Sequence, residues 1–271
     1  MHLLFDIGGT NTRMAVSRGG EGFEEPVIFQ TPSGFDEAIS LFKKTALELT
    51  GGGLTAIVGG LPGILNKDKS SLLDAPNLKD WSGKPIKSEL EKAFGAPVFL
   101  ENDAALAALG EAVYGAGRGK RIVAYFTVST GVGGARVVDG VIDRSAFGFE
   151  PWRQIIDGTH RLGYYISGNG IRKRFGKAPE DIDDSSVWEE AERWLAVGIN
   201  NAIAFWSPDI IVVGGTVAMR RFSLERVAAR LRDIANFPEL PEIVPAELGD
   251  KAGLYGALKI IEVELPWLSY G

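Results

Sequence analysis

Two stretches of this chain, one in each half, are built alike, and they constrain the fold more than any other feature. The first is Phe5-Asp6-Ile7-Gly8-Gly9-Thr10-Asn11-Thr12-Arg13. Leu3, Leu4, Phe5 and Ile7 form an apolar run of strand length, Gly8-Gly9 is a two-residue turn signal, and Thr12, Met14 and Val16 resume a strand. The second starts with the apolar run Ile122 to Val128 and turns through Ser129-Thr130-Gly131-Val132-Gly133-Gly134. It then returns over Ala135 to Val138, ending at Asp139-Gly140, a type I′ hairpin signal. Turns of glycines and hydroxyls leave backbone N–H groups uncovered, so a phosphate can approach closely. In the first stretch Asp6 adds a carboxylate suited to holding Mg²⁺ through water. Taken alone, that stretch equally describes an ordinary hairpin with a turn carboxylate.

The segments around these hairpins alternate strand and helix, which argues for an α/β fold. Ser33, with Asp36 three residues on, reads as the N-cap of a helix carrying Phe35, Ala38, Ile39, Phe42 and Ala46 at helical spacing. Leu54 to Val58 reads as a strand covered on both faces and closed by Gly59-Gly60. Pro97 to Leu100 is a strand running into Glu101-Asn102-Asp103 and an Ala/Leu-rich helix. At that junction Asp103 is both a natural N-cap and a candidate general base for a substrate hydroxyl, with Asn102 orienting the substrate. Gly115-Ala116-Gly117-Arg118-Gly119 reads as a break between domains. Further on, Tyr165 to Phe175 reads as helical, and Ser186 with Glu189 as a capping box. Asp209 to Val213 is a buried strand ending in Gly214-Gly215-Thr216, where backbone can approach an adenosine. Leu248 to Ala257 opens a C-terminal helix.

Composition closes off several kinds of chemistry. At 271 residues the chain suits two compact domains, and a net charge of −6 argues against a nucleic-acid-binding face. With no cysteine and only His2 and His160, disulfides, thiolate metal sites and cysteine nucleophiles are excluded. No run of 18 apolar residues and no basic signal peptide stand in the sequence, so a cytoplasmic protein without a membrane partner is expected.

Five segments, in order, resemble the ROK family of sugar kinases and related repressors: Asp6-to-Arg13, Glu101-Asn102-Asp103, Ser129-to-Gly134, Val212-to-Val217 and Leu248-to-Ala257. The resemblance implies an α/β, two-domain actin/hexokinase-like (ribonuclease H-like) fold with an interdomain cleft. Residues 1–104, joined by a C-terminal helix over 256–271, would form the smaller domain, and residues 105–255 the larger. It also implies ATP and Mg²⁺, transfer of the γ-phosphoryl to a sugar hydroxyl, and a homodimer. On that pattern Asp6, Gly8, Gly9, Thr10 and Asn11 form the first phosphate loop, with Asp6 toward Mg²⁺. Thr130, Gly131 and Gly133 form the second, and Gly214, Gly215 and Thr216 lie near the adenosine. Gly63, Asn77, Asn102, Asp103 and Glu150 fall where the family contacts its sugar, and Asp103 is the catalytic base.

This chain departs from the family pattern after Glu150. Trp152 and Arg153 stand where the family has glycine and a histidine that faces the sugar and binds zinc. The cysteine-bearing zinc loop is missing, and Gly163 takes the place of a sugar-binding glutamate. No zinc is therefore expected. Arg153 is read either as a partner for an anionic substituent on a sugar or as a solvent-facing residue. Zinc-free relatives that use polyphosphate leave the phosphoryl donor open. The expected function is ATP-dependent phosphorylation of a hexose or hexose derivative, glucokinase- or fructokinase-like. The alternative is a catalytically weak or inactive sugar-binding sensor.

Overall fold

The computed structural model describes residues 1–19 and 21–264. In chain order it contains β1 (His2–Ile7), β2 (Asn11–Ser17), β3 (Val27–Gln30), α1 (Phe35–Thr50), β4 (Ala56–Leu61), β5 (Ile64–Leu65), β6 (Leu72–Asp74), α2 (Ile86–Phe94), β7 (Val98–Asn102) and α3 (Asp103–Val113). These are followed by β8 (Ile122–Val128), β9 (Val132–Val138), β10 (Val141–Ile142), α4 (Leu162–Ile166), α5 (Gly168–Phe175), α6 (Ser185–Trp206), β11 (Ile210–Gly214), α7 (Thr216–Arg221), α8 (Leu224–Ile234), β12 (Glu242–Pro245) and α9 (Ala252–Glu264). The expected continuation of the C-terminal helix to residue 271 lies outside the described residues.

Two five-stranded sheets carry the fold, ordered β3-β2-β1-β4-β7 and β10-β9-β8-β11-β12. The second repeats the first strand for strand. In each, the opening strand pairs antiparallel with its hairpin partner and parallel with the strand on its other side, β4 for β1 and β11 for β8. The Asp139-Gly140 turn takes positive φ at both residues, 50° and 72°, as a type I′ turn requires.

The chain divides into two compact units. One comprises Met1–Val113, Arg144–Gly148 and the segment from Asp250 onward; the other comprises Tyr114–Asp143 and Phe149–Gly249. In the first, the sheet is covered on both faces. Side chains alternate along β1, so Leu3, Phe5 and Ile7 pack with Phe35, Ile39 and Phe42 of α1 and with Ile86 and Leu90 of α2. Leu4 turns to the opposite face, where Leu106 of α3 and Leu254 and Leu258 of α9 cover it. In the second unit, Phe126 and Val128 of β8 and Ile211 and Val213 of β11 pack against Leu195, Ile199 and Ile203 of the long helix α6.

The α3–α9 pair explains why the chain's last described helix belongs with its first strands. A Cβ on Gly256 would stand 1.9 Å from the Leu106 carbonyl oxygen, and one on Gly110 would stand 2.2 Å from that of Ala252. The two helices therefore cross backbone against backbone.

Several local expectations are corrected. Gly59-Gly60 does not close β4 but lies inside it, because the strand runs from Ala56 to Leu61. Gly59 makes room for the Phe5 ring, whose atoms come within 2.4 Å of where a Cβ would be. The N-cap of α1 is Gly34, not Ser33, and the Phe35 N–H is taken by the remote carboxylate of Asp80 at 2.8 Å. Helix α6 is capped by Asp184, which accepts from Ser186 N at 2.9 Å. The helix expected over Tyr165 to Phe175 is two helices, and Ser167 between them caps α5 by accepting from Gly170 N. Among the described residues no helix is long and apolar enough to cross a membrane.

Helix propensity and packing make opposite predictions at Gly256. Propensity alone would have Gly256→Ala stabilise by about 1 kcal/mol. The carbonyl in its path makes the variant less stable by about 3 kcal/mol, read as a lower urea midpoint at unchanged slope.

Candidate active site

In the first unit the candidate residues gather at the carboxyl ends of the parallel strands β1, β4 and β7, the end at which open α/β sheets bind ligands. Asp6 is on β1, in register with Gly60 of β4 and Arg13 of β2. Gly60 is the spacer on which the geometry turns. A Cβ there would lie 3.0 Å from Asp103 Cα and 3.3 Å from Asp6 Oδ1. The carboxylate at the end of β1 and the backbone of Asp103 at the start of α3 are thus neighbours across one glycine. On its other side, a Cβ on Gly253 would meet Asp6 Cγ and Oδ2 at 2.8 Å.

Such enclosure has an electrostatic cost. Burial pushes the Asp6 carboxyl up from its ordinary 3.8 to about 6; the Arg13 guanidinium beside it pulls the other way, and Asp250 raises it again. Arg13 spends its strongest contact elsewhere, donating from Nη2 to Asp250 Oδ2 at 2.7 Å. A buried carboxylate so incompletely neutralised fits a divalent cation. Mg²⁺ needs only one or two protein carboxylates when waters and substrate phosphates complete its shell. Among the described residues no three His, Cys, Asp or Glu side chains gather as a metal cluster.

The turn from β1 to β2 is closed by Gly8 N donating to Asn11 O at 2.9 Å, and the Thr31 hydroxyl ties down Gly8 O at 2.9 Å. Neither Gly8 nor Gly9 takes positive φ. Space, not handedness, selects them: a Cβ on Gly9 would meet Asn77 Cβ at 3.0 Å, which also places Asn77 beside the loop. Thr10 and Asn11 are exposed at the tip. Gly63 has φ 129° and packs against the Asp74 carbonyl, so no other residue fits there.

Asn102 proves to be the cap of α3, its Oδ1 accepting from Ala105 N at 3.0 Å, while its Nδ2 donates to Gly63 O at 3.0 Å. The alternative reading of Asp103 as the N-cap is thereby corrected. Asp103 sits in the first helical turn, and its Oδ1 accepts from Ala104 N at 2.8 Å. Behind them, mostly buried Glu101 is held by Lys69, a non-glycine residue at φ 53°.

In the second unit, the Ser129–Gly131 turn and the Gly214–Thr216 segment adjoin. Ser129 Oγ and Thr216 Oγ1 are 2.8 Å apart, and Gly215, at φ 91°, lies against the Val128 backbone, whose oxygen would be 2.4 Å from a Cβ. The first residues of α5 hold the turn, Gly168 N and Asn169 N donating to the Ser129 and Thr130 carbonyls at 2.8 and 3.0 Å. Thr130 and Gly131 stay exposed, and Gly133 lies within β9, paired with Thr127. Glu150 precedes a short 3₁₀ turn, Pro151–Arg153, and accepts from Trp152 Nε1. The Arg153 guanidinium lies 4.5 Å from the centroid of the Trp152 ring.

Sequence reading missed Gly60, Gly253, Arg13 and Asp250. Only the alternation of Ala56, Val58 and Gly60 along a longer strand pointed to the first of these. Ser167, Gly168 and Asn169 were read as ordinary helix.

The ROK family model matches residues 3–151 and 162–264, and the chain belongs to the ROK family. The match lapses over residues 152–161. The chain is 27% identical over 306 residues to a glucokinase from Thermotoga maritima, covering 95% of this chain and 96% of that protein. It is 32% identical over 274 residues to the bifunctional enzyme NanE/NanK of Brucella melitensis; that alignment covers 94% of this chain but 52% of the Brucella protein. The crystal structure of a ROK family glucokinase from Streptomyces griseus in complex with glucose and AMPPNP superposes with a TM-score of 0.76 at 25% identity, over 95% of this chain and 98% of that one. The α/β fold is that of the ROK hexokinases.

The raised pKa of Asp6 has a signed consequence for stability. Below about pH 3 the carboxyl is protonated in both folded and unfolded chains; as pH rises to about 6 only the unfolded chain gains by ionising, so stability falls across that window. Asp6→Asn removes the penalty. In the absence of nucleotide it is expected to be more stable than wild type above pH 6, by up to ~3 kcal/mol, and indistinguishable at about pH 3. Urea unfolding at the two pH values checks this.

Proposed function

We propose that the chain is an ATP-dependent sugar kinase that phosphorylates a hexose or hexose derivative, with Asp103 as general base. The observation that carries the reading is that Gly60, at the carboxyl ends of parallel strands, separates the Asp6 carboxylate from the Asp103 backbone at the start of α3. Membership of a family with glucokinase relatives supports it.

Phosphoryl transfer asks the protein for positioning and charge stabilisation more than for covalent chemistry. The sugar hydroxyl oxygen bonds to the γ-phosphorus as the bond to ADP breaks, and the hydroxyl proton passes to the Asp103 carboxylate. Asn102 takes the capping of α3, and Asp103 stands beside it in the first turn with Oδ1 accepting from Ala104 N. Asn102, Asn77, Gly63 and Glu150 are the sugar-contacting set. With one Nδ2 hydrogen on Gly63 O, Asn102 has the other for a sugar hydroxyl. Gly8 to Asn11 in one unit, and Thr130, Gly131 and Gly133 in the other, offer backbone and hydroxyl donors to phosphates, with Gly214 to Thr216 toward the adenosine. Asp6 would hold Mg²⁺, directly or through water, and the ion would neutralise charge on the transferring phosphates.

The test measures ADP release from ATP and Mg²⁺ over D-glucose, D-fructose, D-mannose, N-acetyl-D-mannosamine and D-glucuronate, with polyphosphate as a second donor. Turnover of one sugar is expected, with kcat reduced about a thousandfold in Asp103→Asn at unchanged sugar binding. Sugar binding by calorimetry with no turnover from any donor would replace the kinase reading with a sensor.

A further inference from the structure

The segment that the family match skips, residues 152–161, is folded around one side chain, Trp152. Its indole N–H donates to the Glu150 carboxylate oxygen Oε2. Trp152 packs against Gly163: a Cβ there would lie 3.3 Å from Trp152 Cβ and 3.6 Å from Cε3. Two guanidinium groups lie over the ring, Arg153 at 4.5 Å and Arg161 at 5.4 Å from its centroid. Arg161 is brought there by a small hairpin, closed by Ile156 N to His160 O at 3.1 Å and Leu162 N to Gln154 O at 2.8 Å. Inside the hairpin, Asp157 accepts from Thr159 N and from the Tyr165 hydroxyl. Gln154 anchors it to α6 by accepting from Asn201 Nδ2 at 2.9 Å.

We infer that Trp152 is a positioning residue for sugar recognition, acting through Glu150; this rests on the reading of Glu150 as a sugar contact. A glutamate has three rotatable bonds and, left alone, spreads its carboxylate over many directions, a freedom that binding must remove. With Oε2 held by the indole N–H, rotation about the last bond is arrested and Oε1 takes one direction. The indole cannot yield, because Gly163 lies behind it and the cation–π contacts to Arg153 and Arg161 hold its face. Residues 152–161 are thus a clamp that fixes the acceptor geometry presented to a sugar hydroxyl. Specificity follows, since a sugar whose hydroxyl lies elsewhere forgoes the hydrogen bond to this carboxylate.

The test uses the full chain and the panel sugar with the highest kcat/KM. Trp152→Phe keeps an aromatic ring beside the guanidiniums and removes the N–H together with part of the ring, so the double-mutant cycle below isolates the hydrogen bond. The expected result is a rise in sugar KM of about fivefold to tenfold, with kcat and ATP KM within about twofold. In the Glu150→Ala background, which leaves no acceptor for the indole N–H, the same substitution is expected to change sugar KM by less than about twofold, since the residue it acts through is already lost. A wild-type sugar KM in Trp152→Phe, or an equal effect in both backgrounds, would overturn the inference. So would equal losses in sugar KM, ATP KM and kcat, which mark a merely structural role. Should wild type bind D-glucose or another panel sugar without turning it over, the kinase reading fails while the inference is read from the same cycle of calorimetric affinities. A chain that neither binds nor phosphorylates any panel sugar overturns both.

Discussion

The first unit is organised by four glycines where its sheet meets α3 and α9. Gly60 on β4 and Gly253 on α9 leave space for the Asp6 carboxylate, and Gly110 and Gly256 let α3 and α9 touch through their backbones. The helix that starts at Asp103 is consequently pressed against the strand that ends near Asp6. Add a methyl group at any of these four positions and either the carboxylate or the helix must move. Asp6 bears the cost, since burial raises its pKa to about 6 with only Arg13 in partial compensation. A carboxylate kept in that condition is poised for a cation, and stability given up at a site is commonly where function lies.

The second unit solves the matching problem with the same strand order and a different set of contacts. Here Gly215 lies against the Val128 backbone, and the first residues of α5 hold the turn after β8. The two turns are alike in topology and unlike in use of chemistry. The first places a carboxylate at the end of its opening strand, while the second has the hydroxyls of Ser129, Thr130 and Thr216 and no acidic residue among positions 127–134.

Much was legible from residue order. Both hairpins, the strand before Asp103 and the strand before Gly214 come from short-range patterns, alternation and turn residues, that tertiary contacts only confirm. The helix caps were not legible in the same way. Ser33 looked like a cap, but the Phe35 N–H is satisfied by Asp80, 45 residues on, and nothing local announces such a partner. Asp103 read as the cap and Asn102 only as a substrate contact. Asn102 caps instead, its amide held by the Gly63 carbonyl. Gly59-Gly60 was read as a turn because paired glycines usually are one. In β4 the pair serves two different faces, one taking the Phe5 ring and the other lying between Asp6 and Asp103.

By itself the sequence determined the α/β class, the repeated hairpins and the chemical types available: carboxylates, amides, hydroxyls and uncovered backbone, with no thiol. Those follow from local periodicity and composition, which need no partner to be expressed. The tertiary structure alone decided that Asp6 and the start of α3 became neighbours, which glycine separates them, that Asn102 caps α3 and that Trp152 clasps Glu150. Each of these is a contact between residues whose separation in space is set by the packing of whole elements, and close packing admits only one arrangement of the side chains involved.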